Sequence, residues 1–160
     1  MRYKIFITTS QTDYKGKSIF ERAADELMID ETFSDMDESG TIETVLYGEL
    51  ESVGDEYTLT YEEESEGMGG VFTEIKFNSS LPRRISISRT GAIESYMYFE
   101  EGKRHVCIYN TGIMPFEICI YAKDVDNRLL TDRVLELTYL VEIKGACAQK
   151  TVMKMEIEKL

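Results

Sequence analysis

Between Arg84 and Asp124 the chain reads RISISRTGAIESYMYFEEGKRHVCIYNTGIMPFEICIYAKD, four short runs of β-branched and aromatic residues punctuated by Thr90-Gly91, Glu101-Gly102 and Thr111-Gly112. Apolar residues alternate with polar ones at period two, and each break carries a glycine that accommodates a reversal. Strand, turn and strand follow one another too closely for helical crossovers, so these residues form an antiparallel meander. A meander with one apolar face must close on itself or pack against a second sheet.

The same pattern extends outward in both directions. Arg2 to Ser10 reads as a first strand, with Tyr3, Ile5 and Ile7 on one face. Ile42 to Ser52 and Glu56 to Glu63 flank Val53-Gly54-Asp55, a tight reversal. Glu64 to Gly70 is a glycine-rich turn, Val71 to Asn78 another strand, and Pro82 precedes the strand at Arg84, where it removes no central ladder bond. Beyond the meander, Val125 to Asp132 reads as a polar connection, Val134 to Lys144 as a long strand, Gly145 as the turn and Ala148 to Lys159 as the last strand. One stretch breaks the alternation. Ile19, Phe20, Ala23, Ala24, Leu27 and Met28 recur at helical spacing behind a Ser18/Glu21 capping box, which predicts a helix from about Ile19 to Ile29. Asp30 to Gly40 then reads as an acidic loop.

About ten antiparallel strands with short connections favour an up-and-down barrel over a sandwich, since closure leaves no exposed edge. The expected fold is therefore an all-β barrel forming one domain over residues 1–160, with residues 18–40 inserted as helix plus loop. A chain of 160 residues buries a core without staples, and its three cysteines are expected as free thiols. A formal charge of −12 argues against nucleic acid and anionic membranes as partners. No apolar run reaches the length of a signal peptide or a membrane span, so the expected location is the cytoplasm. Nothing in the sequence specifies a monomer or a dimer.

Several short motifs, taken in order, resemble the YwiB-like family of small bacterial proteins of unknown function. They are Ser10-Gln11 ending the first strand, Tyr61-Glu62-Glu63 ending a hairpin, Ser88-Arg89-Thr90-Gly91, the Tyr109-Asn110-Thr111-Gly112 turn and the Leu137-Thr138-Tyr139-Leu140 strand. The resemblance covers nearly the whole chain outside Ser18 to Gly40. It implies a calycin-type barrel, lipocalin-like in shape, with no established ligand or activity.

Strand parity locates candidate interior residues. Tyr57, Leu59 and Tyr61 put Glu63 on their face, and Ile85 and Ile87 put Arg89 on theirs. Two charges delivered to an apolar interior are costly to bury singly, so Glu63 or a neighbouring acid is expected to pair with Arg89 near one end of the barrel. Such an arginine either closes the barrel or anchors an anionic group. Tyr61, Tyr109, Tyr121 and Tyr139 add phenols on strands, with Tyr109 beside Thr111 and Tyr139 beside Leu137 as the lumen-facing pairs. The parity of His105 to Thr111 stays open, because Val106 and Ile108 on the other face are equally apolar. The candidate ligand-binding set is Arg89, Glu63, Tyr61, Tyr109, Thr111 and Tyr139.

Other chemistry is weakly signalled. His105, Cys107 and Cys119 sketch a cross-strand zinc site that lacks a fourth ligand, and as a nucleophile pair they lack an orienting group. Gly67, Gly69 and Gly70 have no helix or lysine behind them to form a phosphate loop, and the acids of Glu62 to Glu66 read as solvated. No catalytic residue, metal or cofactor is expected. The functional expectation is a non-enzymatic barrel binding a small amphipathic or anionic ligand, with a filled-core interaction module as the alternative.

Overall fold

The computed structural model describes residues 1–14, 36–63, 70–110, 115–143 and 146–160. Ten strands form one closed antiparallel barrel: β1 (Arg2–Tyr14), β2 (Met36–Val53), β3 (Glu56–Glu63), β4 (Val71–Asn78), β5 (Arg84–Gly91), β6 (Glu94–Glu100), β7 (Arg104–Asn110), β8 (Pro115–Arg128), β9 (Val134–Ile143) and β10 (Ala146–Lys159). Every strand pairs with its neighbours in sequence, and β1 closes the cylinder by pairing with β10 from Tyr3 opposite Lys159 to Asp13 opposite Gln149. The two chain ends lie side by side, with Leu160 N–H donating to the Arg2 carbonyl at 3.1 Å.

Alternation makes one face of every strand a wall of the lumen. In β4, Val71, Thr73, Ile75 and Phe77 are buried while Phe72 and Lys76 face out. In β9 and β10, Leu135, Leu137, Met153, Met155 and Ile157 do the same. The ambiguous β7 resolves the same way, with Cys107 buried and Val106 and Ile108 exposed at 65% and 63%. The two-residue loop Gly54-Asp55 reverses β2 into β3, with Gly54 at φ +62°, a conformation that side-chain-bearing residues rarely adopt.

Three expectations are corrected, each by pairing that local composition does not show. β1 runs on past Ser10 to Tyr14, and β2 begins at Met36, so residues 36–40 of the expected acidic loop are strand, with Thr12 opposite Glu38 across an irregularity at Gln11/Thr12. A partner strand outweighs an unfavourable composition there. Val125 to Arg128, expected as a connection, continues β8. A bulge between Ala122 and Asp124 shifts the phase by one residue, so burial passes from Ile118, Ile120 and Ala122 to Val125 and the alternation looks broken. The last strand likewise starts two residues early, at Ala146, with an irregularity at Cys147/Gln149. The helix expected over Ile19 to Ile29 and the Gly145 turn lie outside the described residues.

The ladder between β6 and β7 is short, with Glu94 opposite Asn110 and Ser95 opposite Tyr109 as its two pairs. Nearer the turn, side chains span the two strands instead. Tyr98 meets His105 edge-on with ring centroids 4.7 Å apart, and Glu100 lies 3.6 Å from His105 Nε2, 3.0 Å from Lys103 and 3.3 Å from Arg84. The turn itself is tied to β8, with Gly102 N–H donating to the Ala122 carbonyl and Ala122 N–H to the Lys103 carbonyl. Glu101 completes the tie by accepting from Val125 N–H at 3.2 Å and pairing with Arg83.

Two positions yield tests of this packing. Gly48 in β2 sits where β-carbon atoms would collide, 2.3 Å from the Thr60 carbonyl oxygen and 2.8 Å from Ile5 Cδ1. Gly48→Ala is expected to lose about 1–3 kcal/mol through overpacking, read as a lower urea midpoint at unchanged slope. The second test uses pH. Asp124 is held above the usual carboxylate range by partial desolvation and by the Glu101 carboxylate beside it, so its charged form costs stability above that range and nothing below it. Glu101 is held low, chiefly by the Val125 N–H, and stabilises until the pH falls through its depressed range. Asp124→Asn is therefore expected to be slightly more stable than the parent at pH 7, and the gain should vanish in urea titrations run in acid.

Candidate functional site

The ends of the barrel differ in what fills them. One end carries both termini and the turns after β2, β4, β6 and β8; the other carries the connections after β1, β3, β5, β7 and β9. The lumen at the terminal end is solid hydrocarbon. Ile5, Leu59, Ile75, Leu135, Leu137 and Met155 have no exposed surface, so no gap large enough for water adjoins them. Phe99, equally buried, lies within this plug opposite Ile85 and meets the Tyr139 ring at 4.8 Å between centroids.

Beyond the buried row of Leu59, Ile75, Ile87 and Met97 the lumen turns polar. Consecutive pairing partners carry it around the wall: Tyr61 opposite Thr73, Thr73 opposite Arg89, Arg89 opposite Ser95, and Ser95 opposite Tyr109. Paired side chains on one face stand about 5 Å apart at their β-carbons, so these groups form a continuous belt. Tyr139 joins it from β9, beside Thr151 of β10. Arg89 Nη2 lies 3.9 Å from Glu63 Oε1, an ion pair without a hydrogen bond, with the two side chains about three-quarters and four-fifths buried.

Two polar atoms of this belt, Arg89 Nε and Ser95 Oγ, are buried without a hydrogen-bonding partner among the described residues, and the equally buried Thr73 hydroxyl has the Tyr61 phenol beside it. They lie on one row across β4, β5 and β6. Buried polar groups are nearly always satisfied by protein or by ordered water, and each one left unmatched costs about 1–3 kcal/mol, so this row is a local cost carried by the packing around it. By contrast, the polar groove of about 430 Å³ at the terminal end is lined by charges already engaged with one another, including Arg83 with Glu101 and Arg128 with Asp126.

Burial keeps the surrounding phenols protonated. Tyr61 is pushed well above the ordinary phenol range, first by burial and then by the Glu63 carboxylate, with Arg89 opposing. Tyr139 is raised by burial, again against Arg89. Burial also lifts the Cys107 thiol to about 11. At neutral pH the described residues of the belt thus offer neutral hydroxyls around one guanidinium and one carboxylate.

Of the residues singled out from the sequence, Glu63, Arg89, Tyr61, Tyr109 and Tyr139 gather in this belt, while Thr111 lies outside the described residues. Tyr121 is on the outer face, under the Arg104 guanidinium at 4.4 Å from its ring. The three residues of the sketched zinc site do not converge. Cys107 faces the lumen, whereas Cys119 pairs opposite the exposed Val106 on the outside. Thr73, Ser95 and Thr151 were not anticipated. Their signal is a lone hydroxyl on an otherwise apolar face, as in Val71, Thr73, Ile75 and Phe77, and it is easily lost because threonine and serine are common in strands.

The belt's electrostatics can be tested through Tyr61. In protein labelled with ¹³C at tyrosine Cζ, its phenol is expected to titrate above the ordinary range. Glu63→Gln should lower that titration and Arg89→Gln should raise it; a shift of either in the opposite sense would show that the two charges do not flank the ring.

Comparison with known proteins agrees with this architecture. The crystal structure of the ywiB protein from Bacillus subtilis superposes with a TM-score of 0.64 over 99% of this chain and 94% of that one, at 14% identity, a likeness of fold. No curated protein matches the chain. The sequence model of a domain of unknown function, DUF1934, matches residues 28–155 and so takes in part of the stretch that the motif resemblance leaves out as an insertion. With four-fifths of its length covered by that model and a ten-stranded barrel of the ywiB kind, the chain belongs to the DUF1934 family.

Proposed function

We propose that the protein is a non-enzymatic, calycin-like binding barrel of the cytoplasm that holds one small polar molecule in the upper lumen, with Arg89 as its anchor. The observation that carries this reading is the Arg89–Glu63 pair, held 3.9 Å apart without a hydrogen bond at the upper end of the lumen with both side chains partly exposed. The tyrosines supply walls that are apolar on the ring and polar at the tip, as lumen linings commonly are. The buried apolar row of Leu59, Ile75, Ile87 and Met97 beneath the belt limits the ligand's size and leaves no channel for a long hydrocarbon tail, so a compact polar or anionic ligand fits better than an amphipathic one.

The same plug favours a second reading, in which the barrel is a filled scaffold and the Arg89–Glu63 pair closes its upper end. Native mass spectrometry separates the two. Parent protein purified from cells is expected to carry a small bound mass that Arg89→Ala loses while keeping its β-sheet spectrum. A bare parent chain, together with a lower melting temperature for Arg89→Ala, would favour the scaffold.

A further inference from the structure

We infer that the outer wall of β2, β3 and β4 is a docking face for a basic, extended segment of another protein, whose arginine or lysine side chains enter an aromatic groove at Tyr47 and Phe72. The face lies outside the cylinder and is independent of what the lumen holds. A groove of about 340 Å³ runs there, lined by Tyr47, Gly48 and Glu49 of β2, Thr60 of β3, Phe72 of β4 and Arg2 of β1. Tyr47 and Phe72 are 54% and 43% exposed. Phe72 stands opposite Glu62, and Tyr47 lies one residue beyond the Gly48–Tyr61 pair, so the two rings flank β3 at one level. Two strand spacings set them about 10 Å apart. Rings presented in this way attract a cation over their faces.

The charges around the groove specify its occupant. Glu43, Glu49, Glu51, Glu56, Glu62 and Glu74 all point outward from β2, β3 and β4, with Lys76 as the one cation on those strands. Lys76 is taken by Glu74 at 3.4 Å, and Glu56 accepts from Asn78. Among the described residues no cation stands within ion-pair distance of Glu43, Glu49, Glu51 or Glu62, and Arg2, opposite Glu49 in register, does not close on it. Elsewhere on the cylinder outward acids are answered, Glu142 by Arg104, Glu100 by Lys103 and Glu156 by Lys154. Glu49 and Glu51 repeat at about 7 Å along β2, the spacing at which an extended chain presents alternate side chains to one face.

The rest of this chain does not supply the missing cations. Residues 64–69, which join β3 to β4, add two glutamates and no lysine or arginine. Residues 15–35 include Lys15, Lys17 and Arg22, but they leave β1 at Tyr14, opposite Met36, and Tyr47 is eleven residues or about 36 Å farther along β2. Fully extended, the stretch from Tyr14 to Arg22 spans about 28 Å, short of the groove. A second copy of the chain, itself of formal charge −12, meets the face with like charge, so the occupant is a different and basic polypeptide.

Calorimetric titration of the full chain at low salt with a peptide of alternating arginine and threonine tests the assignment, with the alternating glutamate–threonine peptide and spermidine as controls. The arginine peptide is expected to bind at least about tenfold more tightly than spermidine, and the glutamate peptide not at all. Tyr47→Thr and Phe72→Thr, which keep β-forming residues on the wall, should each weaken the arginine peptide about two- to fivefold, the range of an exposed cation–π contact. Glu49→Gln and Glu62→Gln should weaken it comparably, whereas Glu117→Gln and Glu136→Gln, on β8 and β9 across the cylinder, should leave it unchanged. Equal loss in those two distant variants would overturn the face in favour of general attraction to an acidic chain. Spermidine binding as tight as the peptide's would overturn a polypeptide occupant, and a peptide that does not bind would overturn the face itself. Should the aromatic variants fail to fold, backbone amide shifts in the parent decide the matter. Movement at Tyr47, Glu49, Thr60 and Phe72 is expected on adding the arginine peptide, and movement spread evenly around the barrel would count against the groove.

Discussion

Closure of β1 on β10 is the constraint on which the rest of the molecule depends. Once that ladder forms, every strand has two partners and no edge of the cylinder is left to the solvent. It also fixes the fate of each side chain, because a strand held on both sides cannot slip by one residue without turning its apolar face outward. Residues on the inner parity are committed to the lumen whatever their chemistry. Leu135 and Phe99 gain from that commitment, whereas Arg89, Glu63, Thr73 and Ser95 must find compensation inside.

The lumen resolves this by dividing its contents along the axis. Hydrocarbon fills the terminal half of the lumen, and the polar groups gather at the opposite end. Such a division lets the lower half supply cohesion for the whole cylinder, so that the upper half can tolerate unmatched hydrogen-bonding groups that would be destabilising in a smaller core.

Much of this was legible in the sequence, and the exceptions have physical causes. The alternation from Glu56 to Glu63 and from Val71 to Asn78 matches the observed strands end to end, since a half-buried strand imposes period two on its residues. Arg89 and Glu63 could be placed inside from their apolar neighbours alone. What alternation cannot show is a change of phase. The bulge at Ala122/Asp124 turned a continuous strand into an apparent loop, and the irregularity at Gln11/Thr12 stood before an acidic stretch whose strand character comes from its partner and not from its own residues. Thr73 and Ser95 escaped notice for a different reason: a hydroxyl becomes informative only when its neighbours in space are known, and those neighbours lie on other strands.

The short β6–β7 ladder gives the cylinder a weak stave. Opening free energy in a folded protein is lowest where the fewest buried contacts and backbone bonds must be given up together, and here one boundary of the wall depends on two residue pairs and a handful of side-chain contacts. Thermal breathing is therefore concentrated at this boundary, and its two pairs, at Ser95 and Tyr109, stand at the level of the polar belt. A cylinder that parts there first admits solvent to its upper lumen through its side and not only over its rim.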